Sequence, residues 1–181
     1  GAAIDLLAAL VDTHPEVISS LDPFVAYVED DSNRYDEEAA EVVATIGGPE
    51  HVETLLGAGE FDTELLSTLV DGLDDDDRAA VRETISESVT DDDPRIRVHA
   101  LSTAYSVFHD EFDDPAAVYL DRLDDTDGDG YNSAREEAAA GLRKVATQNP
   151  DRLSDAVDRL FEAAKAAHDA DDYSFRPLTN V

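Results

Sequence analysis

Residues 125–136 of this 181-residue chain begin with carboxylate side chains at alternate positions and end with another carboxylate. Aspartates stand at the first, third and fifth positions, a glycine at the sixth, a tyrosine at the seventh and a glutamate at the twelfth. A hard cation takes about six to eight oxygen ligands, and alternating side chains converge on it only where the backbone curls, which a glycine permits. The spacing therefore predicts a calcium site. Its predicted ligands are Asp125, Asp127, Asp129, the carbonyl of Tyr131, and Glu136.

The segment 125–136 resembles the calcium loop of EF-hand proteins, and the resemblance implies that Glu136 supplies a bidentate carboxylate. Helices are predicted on both sides of the loop, as that family requires. Asn132 occupies the eighth position, where a branched apolar residue is usual, and Asp121 and Asp124 occupy usually apolar positions before the loop. The alternative interpretation is an acidic turn between two helices, with no cation.

Other residue types that carry out catalysis form no recognised pattern. The chain has no cysteine, and none of its five histidines pairs with another at four-residue spacing. His109 and His168 lie near predicted helix ends, where the helix dipole favours a protonated imidazole. The Gly-x-Ser-x-Gly sequence and phosphate-binding glycine loops are missing. The sequence therefore predicts that the protein is not an enzyme, and calcium is the only cofactor that it suggests.

The charge is strongly negative, because 44 acidic residues stand against 13 basic ones and give a formal net charge of -31. Lys144 and Lys165 are the only lysines, and aspartate outnumbers glutamate. This composition resembles that of haloarchaeal proteins, which implies a cytoplasm of molar salt and acids that serve as solvent adaptation. Such a surface repels nucleic acid, so no nucleic-acid partner is expected. A DNA mimic that occupies a basic groove is the alternative use of this charge.

An apolar segment opens the sequence at residues 2–11. It is too short to span a bilayer and has no basic flank, so a buried helix is predicted rather than an export signal or membrane anchor. We expect no membrane association and a cytoplasmic location.

Apolar residues recur at helical spacing along the chain, and no stretch shows the alternation of a strand, so an all-α fold of about nine to ten helices is predicted. Six of the seven prolines stand where an apolar stripe begins, and in four cases an Asp or Asn that could cap the helix precedes the proline. The predicted helices are 2–13, 15–30 with a break or kink at Pro23, 35–46, 49–57, 62–73, 77–90, 94–109, 115–123, 133–148 and 150–170.

A short sequence pattern recurs in the predicted helices. It consists of an apolar residue, an arginine directly after it, and a predicted core residue four positions after the apolar one. It is found at Val81-Arg82, Ile96-Arg97 and Ala134-Arg135, and the second copy follows an Asp93-Pro94 turn. The chain here resembles the HEAT-like repeat family. The resemblance implies a right-handed α-solenoid of antiparallel helix pairs in which an arginine bonds back to the preceding turn, as we expect for Arg97 and Arg135. An armadillo-like array is the structural alternative.

This resemblance implies one repeat domain over residues 1–171, followed by a tail or cap at 172–181. The tail either covers the last helix pair or binds another molecule. Most tyrosines lie on or beside apolar stripes, so we expect them to pack in the core. Solenoids of this kind bind proteins along extended surfaces, so the predicted function is a non-catalytic scaffold for a protein partner. The alternative is a calcium-modulated helical module that uses the 125–136 loop.

Overall fold

The structure, a computed structural model, describes residues 2–11, 13–30, 36–58, 63–125 and 133–169. All regular elements in these ranges are helical and none is a strand, which confirms the predicted all-α class. The α-helices are α1 (Ala2–Val11), α2 (Asp22–Val28), α3 (Asp36–Ile46), α4 (Val52–Leu56), α5 (Thr63–Asp71), α6 (Asp75–Ser88), α7 (Pro94–Ser106), α8 (Pro115–Leu120), α9 (Ala134–Gln148) and α10 (Val157–Asp169). Four 3-10 turns accompany them at Pro15–Val17, Pro49–His51, His109–Glu111 and Pro150–Ala156.

Prolines mark the helix starts, as predicted, because a proline in the first turn sacrifices no intrahelical hydrogen bond. Two of the predicted aspartate caps are confirmed. The Asp93 carboxylate accepts a hydrogen bond from the backbone N–H of Arg95 at 2.8 Å, and the Asp114 carboxylate accepts one from Ala117 at 3.3 Å. Asn149 makes no such cap bond, and Asp22 lies inside α2 instead of preceding it.

The helix predicted over residues 15–30, with a break or kink at Pro23, is interrupted earlier than expected. A 3-10 turn ends at Val17, Ile18 adopts an extended backbone, and α2 begins only at Asp22. The Ser20 hydroxyl accepts a hydrogen bond from the Asp22 backbone N–H at 3.1 Å, so a local serine contact replaces a helical bond at this point. The predicted interruption is therefore real, but it precedes Pro23 and separates two elements.

The chain divides into two compact units, residues 1–85 and 86–181. In the first unit, α3 packs against α1, α2, α4 and α5. Small residues allow this close packing, and several side chains of α3 expose 1% or less of their surface. These are Ala39, Ala40, Val42, Val43 and Ala44.

The second unit is organised around α9, which packs against α7, α8 and the 150–156 turn. Small residues again face the neighbours, and Ala134, Ala138 and Ala139 expose none of their surface. Gly141 lies directly against the ring of Tyr119, so that a Cβ at this position would be 2.6 Å from Tyr119 Cε1. Glycine is therefore required for α8 and α9 to approach this closely.

No described helix combines the length and the apolar character needed to cross a membrane.

Candidate functional site

Arg97 lies in the second turn of α7, and its side chain is only 7% exposed. Its Nη1 atom donates to the backbone carbonyls of Asp91, at 2.7 Å, and Asp92, at 3.1 Å. These two residues form the turn that precedes α7, because the Asp93 cap starts the helix directly after them. The predicted role of Arg97, which is to tie its helix to the preceding aspartate turn, is confirmed.

The same guanidinium makes a second contact that the sequence pattern did not predict. Arg97 Nε donates to Asp125 Oδ2 at 2.8 Å, and Nη2 donates to Oδ1 at 3.3 Å. Only 8% of the Asp125 side chain is exposed, so both charges of this pair are buried. A planar guanidinium suits two parallel hydrogen bonds to one carboxylate. Arg97 therefore joins the turn before α7 to the residue at which the 125–136 loop begins.

Arg135, in the first turn of α9, also contacts an upstream backbone carbonyl. Its Nε atom donates to the carbonyl of Leu123 at 2.9 Å. Leu123 is buried just after α8 and comes before the 125–136 loop. The expected link from an arginine back to the preceding connection is therefore present here as well, although it spans the whole loop and not a short turn.

The predicted calcium ligands are only partly described. Asp127, Asp129 and Tyr131 lie outside the described residues, and the Asp125 carboxylate binds Arg97. Glu136 lies in the first turn of α9, where its backbone N–H donates to the Ser133 hydroxyl at 3.2 Å. Within the described ranges, no group of three or more His, Asp or Glu side chains could hold a metal ion. Calcium binding by the loop stays a prediction.

A partly buried polar cluster connects α7 and α9 in the second unit. Glu137 forms hydrogen bonds with Tyr105 and Ser102, yet burial outweighs them and raises the pKa of the Glu137 carboxyl above its usual range. Burial, together with the nearby charge of Glu137, also raises the pKa of the Tyr105 hydroxyl. Both groups are therefore driven toward their neutral, protonated forms.

Tyr119 and His109 extend this cluster into the apolar core. Their rings stack with centroids 6.3 Å apart and planes 13° apart. Neither the Tyr119 hydroxyl nor His109 Nδ1 has a hydrogen-bond partner among the described residues. Burial, together with the charge of Lys144, lowers the pKa of His109, so the expected stabilisation of a protonated His109 by a helix end is wrong. His109 is a core residue that favours its neutral form.

Lys144 closes the cluster on its outer side. Its Nζ atom donates to the backbone carbonyl of Tyr105 at 2.7 Å, near the C-terminal end of α7. The last carbonyls of a helix have no partner within it, and the helix dipole makes this end negative, so a lysine is well placed there. The contact fixes α9 against the end of α7.

The two rings at the inner end of the cluster are closed to solvent. Tyr119 exposes none of its surface and His109 exposes 4%, so neither ring can touch a bound molecule. The expectation that tyrosines pack in the core is confirmed for Tyr119, whereas Tyr27 is 40% exposed. Glu137 follows Arg135 and Glu136 in the charged first turn of α9, so no sequence signal distinguished it from its charged neighbours.

An exposed apolar face is present on α10. Val157 is 57% exposed and Phe161 is 67% exposed, although together with Leu153 they form a stripe of apolar residues at four-residue spacing. Val157 and Phe161 therefore lie on the same side of the helix. Leu153, another member of the stripe, is buried in the preceding 3-10 turn. We call the surface formed by Val157 and Phe161 the α10 face.

Two acidic residues border the α10 face on one side. Asp158 and Glu162 follow Val157 and Phe161 directly in the sequence, and both are exposed. Arg159 lies between them, but its Nη1 atom already donates to Asp121 at 2.9 Å, and its Nη2 atom is 3.7 Å from Asp124. The face thus combines two large apolar side chains with two acids along one side, and the exposed Lys165 follows Phe161 by one helical turn.

Comparisons of the sequence with protein-family models and curated proteins, and of the chain with solved structures, give no match.

Proposed function

We propose that this protein is a non-catalytic, HEAT-like helical scaffold that binds a protein partner through the α10 face. The observation that carries the proposal is the exposure of Phe161, at 67%, in a region of ordered helix. Large aromatic side chains that remain exposed beside a second apolar residue are typical of binding surfaces. The scaffold acts in a halophilic cytoplasm, where its acidic surface holds water and cations.

The burial energy of this face is large enough to anchor a partner. A phenylalanine buries roughly 150–250 Å² in a protein core. Covering the exposed part of Phe161 is therefore worth on the order of 3 kcal/mol, and Val157 adds to this on the same side of the helix. A few such anchors supply most of the affinity in many protein interfaces.

The contacts of Arg97 support the repeat architecture of the proposal. Arg97 bonds to the turn before its own helix and to Asp125, which precedes the next long helix, α9. An arginine that bonds back to the turn before its own helix is what the HEAT-like resemblance implies, and the contact with Asp125 adds a link to the connection before α9. Arg135 bonds to an upstream carbonyl in a related way. On this basis we propose that the helices form a right-handed solenoid of antiparallel pairs.

The charge of the surface restricts the partner. Asp158 and Glu162 border the two apolar side chains, and the formal net charge of the chain is -31. A partner that buries Phe161 must bring basic residues to these acids or leave them beside its own apolar surface. We therefore expect an apolar segment flanked by lysine or arginine.

A photo-crosslinking experiment tests the proposal directly. Benzoylphenylalanine is placed at position 161 of the full chain, and at position 17 as a control, because Val17 is also an exposed apolar residue, at 54%, but lies in the first unit. Both proteins are irradiated in a haloarchaeal lysate at molar KCl. A discrete partner joined at position 161 and not at position 17 supports the proposal.

A matched pair of variants completes the test. Phe161→Asp should abolish capture of that partner by tagged protein, while Val17→Asp should leave capture unchanged. Circular dichroism of both variants should match the native spectrum, since both side chains are largely exposed. Equal capture by both variants would show that the α10 face is not the binding surface.

A further inference from the structure

The sequence that follows α10 has the composition needed to cover the α10 face. α10 ends at Asp169, and residues 172–181 read DYSFRPLTNV. Two aromatic residues and a leucine here surround one arginine. A segment of this kind buries apolar area on the face and places its single positive charge among acids.

The segment is long enough to return to the face. The part of α10 from Phe161 to Asp169 is about 12 Å long at the rise of an α-helix. Residues 170–175 span up to about 20 Å when extended, so Phe175 has the reach to contact Phe161. Val157 is about 18 Å from the helix end, and residues 170–178 span about 30 Å, which brings Leu178 within reach as well.

The charges agree with this placement. Arg176 follows Phe175 directly, so it would lie near Asp158 and Glu162, the exposed acids beside Val157 and Phe161. Arg159, the basic residue between those acids, is paired with Asp121. A short tether also gives the segment an effective concentration on the order of millimolar, so a weak contact is enough to populate the docked state.

We propose that residues 172–181 occupy the α10 face in the isolated protein, with Phe175 against Phe161 and Arg176 beside Asp158 and Glu162. The segment is then a resting occupant that a partner must displace, so it lowers the affinity of the scaffold until that partner competes for the same face. This regulatory role rests on the proposed function, whereas the docking itself does not.

Disulfide trapping in the full chain tests the docking. The protein has no cysteine, so the double variant Phe161→Cys, Phe175→Cys contains only one possible disulfide. Mild oxidation at molar KCl should give a monomer with an intramolecular bond, seen by mass spectrometry and on a non-reducing gel. In the control pair Arg159→Cys, Phe175→Cys, position 159 is two residues before Phe161 and so lies on the opposite side of α10, and this pair should react on the order of tenfold more slowly. Equal rates for the two pairs, or a disulfide-linked dimer as the main product, would overturn the proposal, the latter in favour of a second copy on this face.

Tryptophan fluorescence gives a second readout that requires no crosslink. The chain has no tryptophan, so Phe175→Trp introduces the only indole. Its emission should be blue-shifted and protected from acrylamide. Adding Phe161→Asp should remove both effects, whereas adding Arg159→Ala, on the opposite side of α10, should not. An indole as accessible as a free peptide in all three proteins would overturn the docking.

The two proposals fail separately in these experiments. If the disulfide forms but a partner is captured equally by Phe161→Asp and native protein, then the docking stands and the proposed function is wrong. If position 161 captures a partner but neither readout detects Phe175 nearby, then the function stands and the docking is wrong.

Discussion

Removing the Arg97 side chain should destabilise the second unit strongly, because this residue holds a buried carboxylate and a turn at the same time. In the Arg97→Ala variant, Asp125 would lose both of its hydrogen bonds from Arg97, at 2.8 and 3.3 Å. The Asp125 side chain, which is 8% exposed, would then either stay buried or turn toward water and disrupt the local packing. The carbonyls of Asp91 and Asp92 would also lose their donor.

The expected cost follows from these contacts. Deleting one partner of a buried ion pair costs about 3–5 kcal/mol, because the other charge is left buried without compensation. Each charged hydrogen bond to a turn carbonyl is worth about 1.5–3 kcal/mol, but the freed carbonyls can bind water, so these values do not add in full. We therefore expect Arg97→Ala to lower the free energy of unfolding by about 3–5 kcal/mol, a large part of the stability of an ordinary domain.

Urea unfolding at molar KCl, followed by far-ultraviolet circular dichroism, measures this cost. Arg95→Ala is the matched control, because Arg95 forms an ion pair with Asp93 that is 55% and 35% exposed. Exposed pairs contribute about 1 kcal/mol or less, so this variant should remain close to the native protein. The double variant Arg97→Ala, Asp125→Ala should lose about 2 kcal/mol less than the sum of the two single changes, because no charge is then stranded.

Two results would refute this reasoning. A loss for Arg97→Ala no larger than that for Arg95→Ala would mean that Arg97 is a surface residue and that the link between the turn and the loop is absent. Additive losses in the double-variant cycle would mean that Arg97 and Asp125 do not interact. The interaction should also persist in high salt, because a buried pair is screened much less than an exposed one.

Four further predictions address other parts of the molecule. The unfolding midpoint should fall when molar KCl is diluted to about tens of millimolar, since the repulsion of a net charge of -31 is then unscreened; a constant midpoint would contradict the halophilic interpretation. Millimolar calcium in molar KCl should raise the unfolding midpoint of the native chain and not that of an Asp127→Ala, Glu136→Ala variant. An equal response of both proteins would show that calcium acts only as a general counterion. Gly141→Ala should lower the unfolding free energy by about 1–3 kcal/mol in urea, despite the helix propensity of alanine, because its Cβ would lie 2.6 Å from Tyr119; a stabilised variant would exclude this close contact. Burial raises the folded-state pKa of Glu137 above the ordinary value of 4.5, so the free energy of unfolding of the native protein falls as pH rises from 4.5 through the raised pKa. Glu137→Gln should remove this part of the decline when urea midpoints are compared across pH.

Helix positions could be predicted from the sequence because local features determine them. Prolines mark the helix starts, and an aspartate such as Asp93 supplies a cap that forms within three residues of itself. The link from Arg97 to its own turn is also local, at five and six residues along the chain. Where local features compete, as the serines before Pro23 do, the sequence placed the break at Pro23, whereas α2 already begins at Asp22.

The partner of Arg97 could not be predicted in the same way. Asp125 is 28 residues away, and the chain offers 44 acidic residues as candidates, so only the packing of the second unit selects it. The spacing of residues 125–136 led to the prediction of Asp125 as a cation ligand and gave no indication of its contact with Arg97. The polar cluster of Glu137 and His109 likewise depends on which residues share a buried volume, and sequence periodicity carries no information about that.

Periodicity also could not distinguish a covered helix face from an open one. Val157 and Phe161 have the same four-residue spacing as Leu66 and Val70 of α5, which expose 2% or less. Spacing shows that a helix has an apolar side, whereas the neighbour that covers this side is a property of the whole fold. The α10 face became visible only in the structure.

The contact between Lys144 and the end of α7 leaves the protein with a selective handle for chemical labelling. Lys144 and Lys165 carry the only lysine amines, and the Lys144 amine is engaged with the Tyr105 carbonyl at 2.7 Å. Lys165 is exposed and stands four residues after Phe161, one turn along α10 on the same side. An amine-reactive dye therefore modifies the side chain of Lys165 ahead of that of Lys144, and places a fluorophore beside Phe161 in the unmutated protein.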